Sequence, residues 1–313
     1  MKKIILLFVC LAFFSISLYA GSRNERAQTA PLRVGILPDA DSLPLMLARD
    51  HGFFEREGVA VELILFSNPQ ERDAAIQAGR LDGAISDLLA AAFLNAAGYD
   101  FKVASLTSGR YGIISSPQSG ITTLSELRGK RIGLSVNTII QYTVDAQLEA
   151  AGISMNEYEA VAVPRMPLRL EMVLGGQIES ASLPEPLLTA AVVQGAVLLS
   201  TTDTTGIEAG ILLFSKRALD NRLEDVKAFY RAYYNAASAI NANPDAYRNY
   251  LVEQAGFPSA IRDAYQFVYY RTPRLPDSAQ ILRVIRWLRN RNLLNTDISP
   301  QDMVDSRGIS EFL

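Results

Sequence analysis

The sequence predicts an α/β protein of two similar lobes, each a mostly parallel sheet flanked by helices, with a ligand cleft between the lobes. Three observations support this fold class. Two segments about 97 residues apart repeat the same order of strands and helices. Short apolar runs of strand length alternate with helices that begin at capping residues. The composition, 49% hydrophobic and 20% charged in 313 residues, is that of a globular protein.

Residues 1–20 have the pattern of a secretory signal peptide. Two lysines precede an apolar run at residues 4–19, and a polar stretch follows. We expect residues 21–31 to form a tether and the folded part to be periplasmic. Because Leu18 is bulky for its position before the cleavage site, an uncleaved N-terminal anchor stays open as an alternative.

The composition excludes several functional classes. Residues 1–20 contain two of the 30 basic side chains and none of the 33 acidic ones, so without them the net charge changes from −3 to about −5. An acidic chain is a poor partner for nucleic acid, which needs clustered positive charge. The one cysteine, Cys10, lies in the signal peptide, and the one histidine is His51. We therefore expect no disulfide, no Cys/His metal site and no cofactor.

The first copy of the repeat starts with a buried strand at residues 32–37. A helix follows that begins near Asp41 and Ser42, which are capping candidates, and ends at His51. A second strand is predicted at residues 59–66. Since His51 stands at a helix end, we interpret it as a cap rather than a catalytic residue.

The second copy repeats this order. A strand at residues 130–135 leads into a helix that begins near Asn137 and Thr138 and ends at Ala151. A strand at residues 158–163 follows. The same sequence of elements therefore occurs twice.

The match continues with a helix that ends at a glycine and leads directly into a third strand. Gly79 and Gly176 are 97 residues apart, and Asp82 corresponds to Glu179. Each copy then has one more helix and a fourth strand, at residues 102–106 and 196–200.

The C-terminal part begins with a strand-like run at residues 211–214 and then becomes helical. We expect it to cross back and complete the first lobe. Lobe 1 is therefore predicted to comprise residues 32–110 and 206–313, and lobe 2 residues 111–205.

Polar residues that follow the strands are candidates for ligand binding, because open α/β sheets bind ligands beyond the carboxyl ends of their strands. Most of these residues also fit the simpler role of helix caps, and both interpretations stay open. Hydroxyl and backbone N–H groups at a helix start suit an anion, and Tyr142 suits stacking on a planar ligand. The candidates are Asp39, Asp41, Ser42, Ser86, Asp87, Ser135, Asn137, Thr138 and Tyr142.

Several segments of the chain resemble the SsuA/THI5-like (NMT1) family of periplasmic substrate-binding proteins. The segments are residues 35–37, Pro44, and residues 48–59, 78–84, 124–133 and 184–186. The resemblance implies the two-lobed periplasmic binding protein fold and a receptor that captures a small molecule for an ABC importer. We therefore expect a monomer that is not an enzyme and whose partners are a small-molecule ligand and a transporter permease.

The resemblance also implies that Glu185, held between Pro184 and Pro186, points into the cleft. A carboxylate favours ligand groups that donate hydrogen bonds. The candidates Asp39, Asp41 and Asp87 would add to an acidic rim. We therefore rank an aminopyrimidine-like, thiamin-precursor-like or related heterocycle above a sulfonate, nitrate or taurine-type oxyanion, which stays the alternative.

Two other functional classes stay open. A THI5-like enzyme that builds a pyrimidine from pyridoxal phosphate needs a lysine for the cofactor and a reactive histidine, whereas His51 fits a cap. A ligand-sensing receptor would have the same sequence features as a transport receptor. The arginines that flank Trp287 in a predicted helix are interpreted as a solvated face; they are Arg283, Arg286, Arg289 and Arg291.

Overall fold

The structure, a computed structural model, describes residues 30–313, and the expected signal peptide lies outside the described residues. Within them, ten strands form two five-stranded sheets. The strands are β1 (Leu32–Ile36), β2 (Val61–Leu65), β3 (Gly83–Asp87), β4 (Phe101–Leu106), β5 (Tyr111–Ser115), β6 (Arg131–Leu134), β7 (Glu159–Ala162), β8 (Ser180–Pro184), β9 (Val197–Thr201) and β10 (Gly210–Ser215).

The two sheets have the same strand arrangement. Their orders are β2-β1-β3-β10-β4 and β7-β6-β8-β5-β9. In each sheet, three neighbouring strands are parallel and the fourth is antiparallel to them. The fifth strand, at the edge, pairs antiparallel with the fourth. Each antiparallel strand, β5 or β10, is the first strand after the chain crosses from one sheet to the other. We call the first sheet with its helices lobe 1 and the second lobe 2; the predicted two-lobed α/β class is confirmed.

Helices cover the sheets, and none of those in the described part of the chain is long and apolar enough to cross a membrane. They are α1 (Leu43–Asp50), α2 (Phe53–Arg56), α3 (Pro69–Gln77), α4 (Leu88–Ala96), α5 (Ile139–Ala150), α6 (Met166–Leu174), α7 (Leu187–Val193), α8 (Thr202–Thr205), α9 (Lys216–Asn221), α10 (Leu223–Ala242), α11 (Arg248–Glu253), α12 (Ser278–Asn290) and α13 (Pro300–Met303).

The first helix of each repeat begins close to its predicted position. Helix α1 begins at Leu43 after a 3-10 turn at Ala40–Ser42. Helix α5 begins at Ile139, and Thr138 is its N-cap. His51 is the C-cap of α1, as the sequence predicts.

The two copies share a matching pair of ion pairs. Arg33 Nε lies 3.4 Å from Asp82 Oδ2 in lobe 1, and Arg131 Nε lies 3.0 Å from Glu179 Oε2 in lobe 2. In each pair, the arginine is on the first strand and the acid precedes the third. The predicted correspondence of Asp82 with Glu179 is therefore confirmed at the level of contacts.

The C-terminal segment completes the first sheet and covers it. Strand β10 lies between β3 and β4, and helix α10 packs against α1. The apolar residues predicted at helical spacing on α10 are all buried: Val226, Phe229, Tyr230, Tyr233, Ala237 and Ile240.

The predicted solvated face of α12 is confirmed for Arg283, Arg286 and Arg289, which are exposed, and is wrong for Arg291, which is half-buried beside Trp287. Trp287 Nε1 donates to Asp145 Oδ2 of α5 at 2.7 Å, and Arg291 Nη2 donates to the same oxygen at 2.5 Å. Helix α12 also packs on α4 of lobe 1. A single buried carboxylate on lobe 2 thus binds Trp287 and Arg291, and of these the sequence pattern places Arg291 in water.

Candidate functional site

A cavity of about 30 Å³ lies between the two lobes, at the carboxyl ends of β1 and β3 on one side and of β6 and β8 on the other. Apolar side chains such as Ile139 and Met166 form part of its wall. This is where a two-lobed α/β protein is expected to bind a ligand. We call it the cleft cavity. Its polar lining residues are Asp39, Arg72, Ser86, Asp87, Tyr111 and Ser135.

Ser42 is the N-cap residue of α1, within the predicted position, but its side chain makes no capping bond; Asp39 caps the 3-10 turn that precedes α1. Asp39 Oδ1 accepts hydrogen bonds from Ser42 N at 3.1 Å and Ser42 Oγ at 3.0 Å, and Ser42 Oγ accepts from Leu37 N. The Ser42 hydroxyl is thus used within lobe 1 and does not line the cavity. Burial, and then the neighbouring Asp41, raise the pKa of Asp39 well above 3.8.

Ser86 and Asp87 reach the cavity from the end of β3. Asp87 caps α4, since its Oδ1 accepts from Ala90 N at 2.8 Å. Burial raises the pKa of Asp87, while the Arg72 guanidinium and the backbone N–H groups of Ala90 and Ile139 oppose that rise. Ser86 Oγ is buried and has no hydrogen-bond partner within residues 30–313. Such a hydroxyl costs free energy unless a further group bonds to it.

Arg72, on α3, lines the cavity although no sequence pattern singled it out. Its Nη1 donates to Ile85 O at 3.1 Å and its Nε to Asp73 Oδ1 at 2.8 Å. Nη2 forms an ion pair with Asp73 Oδ1 at 2.7 Å but makes no hydrogen bond to a described residue. Arg72 therefore has donor capacity left beside the carboxylates of Asp39 and Asp87.

Ser135 forms the lobe-2 wall of the cavity and is bonded to a second buried arginine, Arg169 of α6. Arg169 Nε donates to Val163 O at 2.9 Å, Nη1 to Ser182 O at 2.7 Å, and Nη2 to Ser135 Oγ. Burial lowers the pKa of the Arg169 guanidinium to about 9. Since Ser135 Oγ accepts from a cation, its own proton is available to a group in the cavity.

Asn137, Thr138 and Tyr142 do not line the cleft cavity. Thr138 caps α5, because its Oγ1 accepts from Ile140 N at 3.2 Å. Asn137 is exposed and has a left-handed backbone conformation, with φ of 58°. Tyr142 packs edge-on against Trp287, with ring centroids 5.9 Å apart. Their ligand roles stay predictions that this arrangement does not favour.

Asp41 lies where the chain crosses between the lobes rather than at the cavity. Its Oδ2 accepts from Tyr111 OH at 2.8 Å. A Cβ at Gly109 would lie 2.0 Å from Oδ2, and one at Gly210 would lie 3.1 Å from Oδ1. The carboxylate is therefore packed against both connecting segments, and burial raises its pKa above 3.8.

Glu185 belongs to a neighbouring pocket of about 300 Å³, which we call the Glu185 pocket. Thr189 N and Thr189 Oγ1 donate to its carboxylate at 3.1 and 3.0 Å, and Arg110 Nη1 lies 3.7 Å away. The Glu185 carbonyl accepts from Ala40 N at 3.1 Å, a bond that joins the lobes. The structure does not bring this carboxylate to the cleft cavity, and its ligand role stays a prediction.

The residues that the enzyme alternative needs do not line the cleft cavity. His51 is exposed and packs edge-on against Tyr250, with ring centroids 5.5 Å apart. Across residues 30–313, no group of three or more His, Cys, Asp or Glu side chains could hold a metal ion. The lysines in that range are all outside the cavity lining: Lys102, Lys130, Lys216 and Lys227.

Comparisons with known proteins agree with this architecture. The sequence model of the NMT1/THI5-like family matches residues 39–247. A putative ABC transporter periplasmic binding protein of Brachyspira hyodysenteriae is 22% identical over 259 residues, which are 77% of this chain and 74% of that protein. The 4-amino-5-hydroxymethyl-2-methylpyrimidine phosphate synthase of Schizosaccharomyces pombe is 30% identical over 121 residues, 38% of this chain and 35% of that enzyme.

A solved structure shares the fold over nearly its whole length. The alkanesulfonate-binding protein SsuA of Xanthomonas axonopodis pv. citri, bound to MOPS, has a TM-score of 0.76 at 20% identity. The match covers 89% of this chain and 99% of that one. At this identity the likeness shows the two-lobed fold and leaves the ligand to be argued from the site.

Proposed function

The chain belongs to the NMT1/THI5-like family, and we propose that it is a periplasmic solute-binding protein of ABC-type import that binds a small molecule in the cleft cavity. The Brachyspira hyodysenteriae relative, a putative protein of that kind, supports the proposal over 77% of this chain. The position of the cavity between two lobes supports it independently. Because the enclosed space of about 30 Å³ holds about one water, the lobes open by a hinge motion to admit a small molecule.

The observation that carries the proposal is the set of unused polar groups at the cavity. Ser86 Oγ and Arg72 Nη2 are buried and make no hydrogen bond within the described chain. The Ser135 hydroxyl has a free proton because its oxygen accepts from Arg169. Buried polar groups are normally satisfied, so the unpaired groups at this cavity support a ligand that completes the hydrogen bonding.

An amino heterocycle such as an aminopyrimidine is the ligand class we propose. The carboxylates of Asp39 and Asp87 accept hydrogen bonds from amino groups, and Arg72 and Ser86 can donate to ring nitrogens. An aminopyrimidine presents both kinds of group next to each other. The Schizosaccharomyces pombe relative is named for such a compound, although the match spans 35% of that enzyme.

A sulfonate-type oxyanion is the second candidate, and a specific observation favours it. Three donors, Arg72, Ser86 and Ser135, line the cavity, and Arg169 adds a further positive charge. Anions bind well to such donors. The carboxylates of Asp39 and Asp87 oppose this ligand class unless they bind protons.

Native mass spectrometry tests the proposed function directly. The protein without residues 1–20 is measured as purified from cells and again after unfolding and refolding. A released adduct with the mass of an aminopyrimidine supports the first candidate, and one with the mass of a sulfonate supports the second. Visible absorbance of retained pyridoxal phosphate would instead support the enzyme class.

A matched pair of variants tests the cavity itself. Asp87→Asn keeps an acceptor for the cap of α4 but removes the charge, so it should weaken binding of an aminopyrimidine about tenfold. Glu149→Ala, an exposed acid on α5, should leave binding unchanged. Isothermal titration measures both; equal affinity of Asp87→Asn and the wild type would contradict the assignment of the cavity.

A further inference from the structure

The two lobes hold equivalent buried arginines. Arg72 on α3 and Arg169 on α6 are 97 residues apart, the offset of the repeat. Each donates Nη1 to a carbonyl of the third strand of its lobe, Ile85 O at 3.1 Å and Ser182 O at 2.7 Å, and these two residues are also 97 apart. Both guanidinium groups thus occupy the same position in their copies of the repeat.

The electrostatic surroundings of the two arginines differ. Arg72 is 2.7 Å from Asp73 and also interacts with Asp39 and Asp87. Arg169 has no carboxylate within 4.0 Å in the described part of the chain, and burial alone perturbs it. At the offset of 97 or 98 residues, neutral side chains occupy the three matching positions: Leu170, Asn137 and Pro184.

A buried guanidinium without a counter-charge is expensive, so a negative group is expected to approach it. Arg169 is fully buried and bonds only to carbonyl oxygens and to Ser135 Oγ. Ser135 lines the cavity and is 1% exposed. Its hydroxyl, polarised by Arg169 and free to donate, is the point at which lobe 2 offers its positive charge to a ligand.

We propose that the ligand is dipolar, with an amino-type donor facing Asp39 and Asp87 of lobe 1 and an acidic group, a carboxylate or sulfonate, facing Ser135 and Arg169 of lobe 2. This inference rests on the proposed function, in that the cleft cavity is the ligand site. It narrows the ligand from an amino heterocycle to one with an acidic substituent. It also explains why one site offers both carboxylates and cationic donors.

A set of matched probes tests the dipolar ligand by isothermal titration with the wild-type protein. The probes are 4-aminopyrimidine-5-carboxylate, which has both groups, 4-amino-5-methylpyrimidine, which lacks the acid, and pyrimidine-5-carboxylate, which lacks the amine. We expect the first to bind at least tenfold more tightly than either of the others. The corresponding 4-aminopyrimidine-5-sulfonate distinguishes the two kinds of acid.

Variants then locate the acidic group. Ser135→Ala should weaken binding of 4-aminopyrimidine-5-carboxylate at least tenfold and leave binding of 4-amino-5-methylpyrimidine unchanged. Ser182→Ala removes a buried hydroxyl of the same lobe that does not line the cavity, and it should change neither affinity.

The outcomes separate this inference from the proposed function. If 4-amino-5-methylpyrimidine binds as tightly as the acid, or Ser135→Ala binds the acid as the wild type does, the dipolar ligand is wrong and the proposed amino heterocycle stands. If pyrimidine-5-carboxylate binds as tightly as the aminated acid, the contact with the lobe-1 carboxylates is wrong. If no probe binds, the amino-heterocycle class is wrong and the dipolar ligand is refuted with it.

Discussion

Replacing Asp145 by alanine should weaken the contact between lobe 2 and helix α12. Asp145 Oδ2 accepts from Trp287 Nε1 at 2.7 Å and from Arg291 Nη2 at 2.5 Å, and Oδ1 accepts from Tyr158 OH at 2.7 Å. The side chain is 6% exposed, so water cannot take its place for all three donors. Because α12 packs on lobe 1, the contact also joins the lobes.

The three bonds set the expected loss of stability. Removing one partner of a buried hydrogen-bonded ion pair costs about 3–5 kcal/mol. The side chain of Arg291 is 20% exposed, so its share is reduced by screening and by access to water. We therefore expect the free energy of unfolding to fall by about 3 kcal/mol in Asp145→Ala. This is a large part of the roughly 5–15 kcal/mol that stabilises a typical native protein.

Urea denaturation followed by tryptophan fluorescence measures this loss, because Trp287 is the single tryptophan of the sequence. The native emission of Asp145→Ala should also lie at longer wavelength, since the indole N–H loses its carboxylate and contacts water. Glu149→Ala, an exposed acid on the same helix, is the matched control. If the two variants differ in unfolding free energy by less than about 0.5 kcal/mol, the reasoning is wrong.

Three further variants test the cavity and the contacts around it. Burial raises the pKa of Asp39 above 3.8, so the folded protein retains a proton that the unfolded chain releases, and the contribution of Asp39 to stability falls as the pH rises above about 4. The wild type should therefore lose stability relative to Asp39→Asn over this rise in pH, and equal slopes in urea titrations would contradict this. Gly109→Ala places a Cβ 2.0 Å from Asp41 Oδ2 and should lower the free energy of unfolding by about 2 kcal/mol. The double variant with Asp41→Ala should recover part of this loss, and a double variant that recovers none of it would show that the strain lies elsewhere. Glu185→Ala leaves two Thr189 donors without their acceptor and should lower the free energy of unfolding, measured by thermal unfolding, by about 1–2 kcal/mol. It should change ligand affinity less than Asp87→Asn does, and a larger change in affinity would place the Glu185 carboxylate at the ligand.

The order of strands and helices was predictable because the same pattern occurs twice in the sequence. Apolar runs and glycine stops recur at a nearly constant offset, as Gly79 and Gly176 show, and both adopt positive φ in the structure. Local capping was less predictable. Asp39, Asp41 and Ser42 all fit an N-cap by type, and only the 3-10 turn at Ala40–Ser42 selects Asp39.

The site was predictable only in part, because attention to strand-end loops misses residues that reach the cavity from helices. Ser86 and Asp87 end β3, Ser135 follows β6, and all three line the cavity as expected from their positions. Arg72 and Arg169 are on helices, but their spacing of 97 residues was a signal in the sequence that alignment of the two copies could have found. A single copy gives no reason to single out either arginine.

Contacts between the lobes affect the measured affinity for a ligand, because they stabilise the arrangement of the lobes to which the ligand binds. Tyr111 OH bonds to Asp41, and Ala40 N bonds to the Glu185 carbonyl, so both stabilise the arrangement that encloses the cavity. A ligand that binds only this arrangement has an apparent affinity reduced by the fraction of molecules that adopt it. Weakening either contact should therefore raise the dissociation constant of every ligand by one common factor, whereas a change at Ser135 should affect acidic ligands selectively. Measuring several ligands against each variant thus separates residues that position the lobes from residues that contact the ligand.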